Sequence, residues 1–174
     1  MAIDKAIWHY EVPDYPKELP NEQGGVHIAF FFRWMAENGF AGAELNEEYP
    51  AIQMKLKLNM LDAFEILMNF FDGTIMAEDF SEDGARFANA YYLEKELYSR
   101  EYGNYLEDYE ALMPQLEHLE GFEKFYQAVK YSEENYQIVK QQIDQRFAEY
   151  ESWLSEQNNQ EDDSIKSEIN EVQG

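Results

Sequence analysis

The chain has 174 residues, with 36 acidic side chains against 13 basic ones and a formal net charge of −23. A field of that sign repels nucleic acid and anionic membranes and attracts basic proteins; the lack of any cysteine excludes disulfides, thiolate zinc sites, iron–sulfur clusters and cysteine nucleophiles. Aromatic residues make up 16% of the chain, far more than a disordered acidic segment carries, so the acidity belongs to the surface of a folded body of one-domain size.

Met1 to Pro20 lacks the basic flank and apolar core of a signal peptide. No apolar run approaches the roughly 18 residues that cross a bilayer, and the expectation is a cytoplasmic protein. Residues 4–23 hold Pro13, Pro16 and Pro20 among polar residues, with Trp8, Tyr10 and Tyr15 interleaved. Proline at this density forbids a continuous helix, and the stretch reads as an extended, ordered arm whose aromatics dock on the body. Gly24 and Gly25 precede a helix predicted from Val26 to Asn38 and stopped by Gly39. Its expected buried face carries His27, Phe31, Trp34 and Met35.

Tyr49 to Phe71 reads as two short helices, the first started by Pro50. In the second, Leu58, Leu61, Phe64, Met68 and Phe71 follow the spacing of a buried stripe, and Asp72-Gly73 ends it as a turn. Residues 74–80 read as a short extended piece or a loop. From Ser81 to Met113 the chain is tyrosine-rich: Phe87, Tyr91, Tyr98, Tyr102, Tyr105, Tyr109 and Leu112 keep helical spacing, Gly103 is a candidate break, and Pro114 is the stop. Phe125 to Val129 is a candidate extended segment. The clearest element is the last, where Tyr136, Val139, Ile143, Phe147, Tyr150 and Leu154 line one face of a long helix with Ser132 as its N-cap. After Leu154 aromatics vanish. The expected architecture is therefore a mostly α, single compact helical domain over residues 1–154, with an extended N-terminal arm and a disordered acidic C-terminal tail over residues 155–174.

Few motifs carry chemistry. Asp79-Phe80-Ser81-Glu82-Asp83-Gly84 mimics the first half of a calcium-binding EF-hand loop, but its twelfth position is Ala90 and Arg86 stands in the eighth. A capping turn before a helix explains it better. There is no G-x-S-x-G, no phosphate-cradling loop, no H-E-x-x-H and no basic patch. No cofactor or metal is expected. His9, His27 and His118 lie far apart in sequence; a fold that brought His9 and His27 together near Asp72 would create a metal-like or acid–base cluster, although such histidines are more often structural. Tyrosine serves a core and an interface equally well, because its ring buries while its hydroxyl stays wet. Glu94, Glu96, Glu101, Tyr102, Tyr105, Glu107, Asp108 and Glu110 are the expected acidic–aromatic docking face.

Trp8-His9-Tyr10, the proline arm to Pro20, Gly25-x-His27, Trp34, Gly39, Asp72-Gly73, Gly84-x-x-Phe87-Ala88, Tyr91-Tyr92, Tyr105-x-x-Asp108-Tyr109 and Ile143-Asp144-x-Arg146-Phe147 form an ordered series. Over roughly residues 4–150 it resembles an uncharacterised bacterial domain family of unknown function. The resemblance implies a small helical domain with no settled activity, and a shared feature, structural or a pocket, built from Trp8, His9, His27, Asp72 and the Tyr91-Tyr92 pair. Segments 94–104 and 114–124 are longer and more acidic than that pattern requires.

The function expected from the charge is an interaction protein that binds and neutralises a basic partner. Its most concrete form is an immunity protein against a bacterial toxin, such as a nuclease. Two alternatives stand beside it: a DNA mimic that inhibits a nucleic-acid-binding protein, and a ligand-binding or enzymatic domain using Trp8, His9, His27, Asp72 and Tyr92.

Overall fold

Helix α2 (Val26–Glu37) runs through the centre, and every side chain from Val26 to Ala36 is buried. The computed structural model describes residues 1–58, 60–93 and 97–172, excluding the side chains of Glu48 and of residues 160–172. Strand β1 (Ala2–Lys5) leads into a short helix α1 (Ala6–Tyr10), and a 3₁₀ turn, Asn21–Gly25, delivers the chain to α2. Helices α3 (Pro50–Lys57) and α4 (Ala63–Phe70) follow, then strand β2 (Thr74–Met76), which pairs antiparallel with β1. Helices α5 (Glu82–Tyr91), α6 (Leu97–Tyr102), α7 (Tyr105–Leu112) and α8 (Glu133–Val172) complete the body. The fold is mostly helical, with α3, α4 and α8 packed on α2.

The expected single buried face of α2 is too narrow: Ile28, Phe30 and Phe32 are as buried as Phe31 and Trp34. A helix covered on all sides needs no polar face. It does carry Arg33, whose guanidinium pairs with Glu37 and Glu133 at 2.8 Å each and lies 3.6 Å over the Tyr136 ring. Charge and π-face together compensate that buried cation.

Several local signals act as read. Pro50 opens α3, and the Ser81 hydroxyl accepts from Gly84 N–H at the start of α5. Ser132 accepts from Asn135 N–H at the start of α8. Asp79 accepts from Met76 N–H, so the calcium-loop mimic is a pair of caps. Two expectations fail. Leu58 is 61% exposed, because α4 starts only at Ala63, where the Asp62 side chain accepts from Phe64 and Glu65 N–H. The other expected members, Leu61, Phe64, Met68 and Phe71, are partly buried against the core, while the fully buried side chains of α4 are Ala63, Ile66 and Leu67. Phe125 to Val129 holds a 3₁₀ turn, Tyr126–Ala128, and only Val129 makes a strand-like bridge, to His118.

The tyrosine-rich section divides into three helices. Gly103, at φ +93°, adopts a backbone conformation that a side chain disfavours and so separates α6 from α7. Tyr91, Tyr98, Tyr105 and Tyr109 are core residues. Three of their hydroxyls find buried or half-buried acceptors: Tyr91 donates to Asp108, Tyr98 to the Arg146 carbonyl and Tyr105 to the His27 carbonyl. Residues 155–159, the first of the acidic tail, are largely exposed; the rest of that tail lies outside the described side chains.

Candidate functional site

In a regular strand, neighbouring side chains point to opposite faces, so Ile3 and Asp4 should not both be buried. The β1–β2 register slips between Ala2 and Asp4, and this bulge turns both inward, to 3% exposure each. The chain then enters α1, which places His9 above the start of α2. That approach depends on Gly24: a Cβ there would lie 2.6 Å from the Ala6 carbonyl oxygen. Gln127 ties down the far end of α1 by donating to the His9 carbonyl at 3.2 Å. Gly24→Ala must push α1 outward, and we expect it to lower stability by about 1–3 kcal/mol, as overpacking does, measured by urea unfolding.

Asp4 is the hub of what results. Its Oδ1 accepts from the backbone N–H of Lys5 at 2.7 Å and faces His9 Nε2 at 2.6 Å. Its Oδ2 accepts from the Tyr92 hydroxyl at 2.5 Å and faces His27 Nε2 at 3.2 Å. The other nitrogen of His9, Nδ1, lies 2.6 Å from the Tyr126 hydroxyl, and the two imidazoles meet edge to face with centroids 4.3 Å apart. His27 Nδ1 and the Tyr109 hydroxyl are buried with no hydrogen-bond partner among the described atoms.

Burial would raise the Asp4 carboxyl pKa, but the hydrogen bonds and charges of His27 and His9 outweigh it and hold the group well below the usual carboxylate range. Burial depresses His27, against the opposing pull of Asp4. Both shifts act with one sign. As pH falls below about 6.5, the unfolded chain protonates His27 before the folded one does, and below about 3.9 the same holds for Asp4. Stability contributed by both groups is therefore present at neutral pH and is lost on acidification. Between pH 7.5 and 5 the surface carboxylates stay ionised, so a falling urea midpoint over that range, in chelator, reports the histidine; it should flatten in His27→Gln.

Of the pocket residues expected from the sequence, the structure brings His9, His27 and Tyr92 together, and it does so around Asp4 in place of Asp72. Asp72 sits exposed in the turn after α4, at φ +50°, and Asp4 takes the place assigned to it. Trp8 is 53% exposed, with the Lys5 ammonium 5.7 Å from its ring centre, and does not line the cluster. Tyr91 turns away to Asp108. Asp4 and Tyr126 were not anticipated; a carboxylate inside the short apolar start Ala2-Ile3-Asp4 was the one available signal. His118 stands apart, with Nδ1 donating to the Leu116 carbonyl at 2.9 Å.

The expected docking face also divides. Tyr105 is 1% exposed. Asp108 accepts both Nε and Nη2 of Arg146, at 2.6 and 2.8 Å, together with the Tyr91 hydroxyl. These two residues hold the fold and are unavailable to a partner. Glu94 and Glu96 lie outside the described residues. Glu101, Glu107 and Glu110 are exposed, and Tyr102 is half-buried. Tyr102 stacks on Tyr98 with centroids 4.9 Å apart, and Trp153 of α8 lies 5.9 Å from Tyr98. Burial, then the charges of Glu101, Glu156 and Glu149, raise the Tyr102 phenol.

Fold and site thus define a mostly helical domain with a buried Asp–His–His cluster under its N-terminal strand and an acidic–aromatic face on α6 and α8. Residues 2–127 match the domain of unknown function DUF7832, and the chain belongs to that family. No curated protein and no solved structure shows significant similarity to it. Among the described residues, no helix is long and apolar enough to cross a membrane.

Proposed function

We propose that this protein binds a basic partner protein and neutralises it, in its most concrete form as an immunity protein covering the cationic cleft of a toxin. The observation that carries the reading is the aromatic cluster of Tyr98, Tyr102 and Trp153, flanked along α6 and α8 by the exposed Glu101 and Glu156. Rings at the centre of a contact and carboxylates at its rim are what a cationic surface requires. Among the described side chains, the cations on α8 are spoken for: Lys140 pairs with Asp144, and Arg146 with Asp108 and Glu149. Glu101, Glu107, Glu110 and Glu156 form no ion pair among the described residues, so their charge faces outward uncompensated. A nuclease must be cationic to hold nucleic acid, and an acidic antagonist reaches it with association raised about 10–10³-fold by steering.

The test is co-expression with the toxin-like product of an adjacent reading frame. Growth should be rescued by the native chain and lost with Glu101→Lys/Glu156→Lys. If the native chain neither binds nor protects against such a product, the proposal fails.

A further inference from the structure

Asp4 brings a full negative charge into the core, and among the described residues only His9 and His27 pair with it. A buried carboxylate without a compensating positive charge is costly, so the balance must come from a proton on an imidazole or from a bound cation. The geometry favours a cation. One oxygen of Asp4, one nitrogen of His9 and one of His27 all lie within 4.8 Å of one another. We infer that Asp4, His9 and His27 form a binding site for a divalent transition ion of the zinc class.

The donor set selects that class. Two imidazole nitrogens and one carboxylate suit zinc and its first-row neighbours, whereas calcium and magnesium require oxygen cages. An ion at about 2.0–2.1 Å from each ligand separates tetrahedral ligands by about 3.3 Å. The two imidazoles now face different oxygens of Asp4, His27 Nε2 at 3.2 Å from Oδ2 and His9 Nε2 at 2.6 Å from Oδ1, so one ion between them requires the carboxylate and His9 to shift toward a shared centre. His9 is the ligand with room to move, since its side chain is 11% exposed and that of His27 fully buried. Outer contacts support His9 and Asp4, while His27 Nδ1 has no partner among the described atoms. With an ion bound, Tyr126, 2.6 Å from His9 Nδ1, would accept that N–H and leave the Nε2 lone pair to the ion; Tyr92 donates to Asp4 Oδ2. Such outer contacts orient metal ligands and fix the tautomer. Three protein ligands leave one position for water or a small anion.

The full chain, stripped with chelator, is titrated with Zn²⁺ by calorimetry and with Co²⁺ by visible absorption. One equivalent should bind tightly, and Co²⁺ should give the intense bands of a tetrahedral site. His9→Gln, at the partly exposed ligand, should abolish both signals while near-ultraviolet circular dichroism stays native, and Tyr126→Phe should weaken binding by roughly 10-fold. Asp4→Asn and His27→Gln are read only where they fold, and His9→Gln decides in any case. An acidic surface collects metal loosely, so weak binding of many equivalents that survives His9→Gln overturns the proposal. So does the absence of any saturable site, which would leave a proton as the balancing charge. Neither result bears on the docking face.

Discussion

Asp108→Asn should lower the unfolding free energy by about 2–4 kcal/mol, the cost of breaking a largely buried ion pair, although Asp108 lies within an acidic stretch that reads as a binding surface. Its carboxylate receives the Arg146 guanidinium through two nitrogens and also accepts from the Tyr91 hydroxyl and from Gln142. It therefore joins α5, α7 and α8. With Asn in its place, Arg146 keeps Glu149 at 2.9 Å but loses its bidentate acceptor, and the hydroxyl of the buried Tyr91 loses charge assistance. Urea unfolding should show the loss at unchanged slope. Any weakening of partner binding should vanish when compared at equal folded fraction. Glu107→Gln, one residue away and exposed, should leave stability within about 0.5 kcal/mol. Equal stability of Asp108→Asn and the native chain would contradict the structural role.

Trp34→Ala should cost about 3–5 kcal/mol, as truncation of a buried aromatic does, and lower the thermal midpoint by roughly 6–20 °C. Trp34 is 1% exposed. Its ring packs on Phe40, Phe87 and Phe147 at centroid distances of 5.8, 5.5 and 5.4 Å, and its indole N–H donates to Asp144 at 2.8 Å. The alanine leaves a cavity between three rings, held by the turn after α2 and by α5 and α8, that cannot all collapse into it. Trp34→Phe keeps most of the ring contact and should cost clearly less. A loss below 1 kcal/mol for the alanine, by differential scanning calorimetry, would show that the interior relaxes around the gap.

Local physics explains which parts of this fold were legible. Pro50, Ser81, Ser132 and the Asp72-Gly73 turn act through bonds to their own neighbours, and all stand where spacing placed them. Helix α8 was clear because its apolar side chains recur over many turns. What failed depends on distant partners. Strand β1 exists only because Thr74–Met76 lies beside it, and nothing within Ala2–Lys5 announces that pairing. Leu58 matches the buried period yet is exposed, since periodicity identifies a face and cannot say where a helix starts. Tyr105 and Tyr102 illustrate the same limit: three residues apart on a tyrosine series, one is enclosed in the core and the other is half-buried at the surface. At the site, Trp8-His9-Tyr10 and Gly25-x-His27 pointed to the imidazoles. The carboxylate was missed because a bulge, invisible in sequence, aims Asp4 inward.

Docking through charge on α6 and α8 is tested most directly by stopped-flow association with the cationic partner, the native chain and Glu101→Gln/Glu156→Gln measured in parallel across a series of salt concentrations. For the native chain the rate should fall steeply as salt rises, and the double variant should start lower and fall less. Rates independent of salt, or identical for the two proteins at low salt, would contradict it.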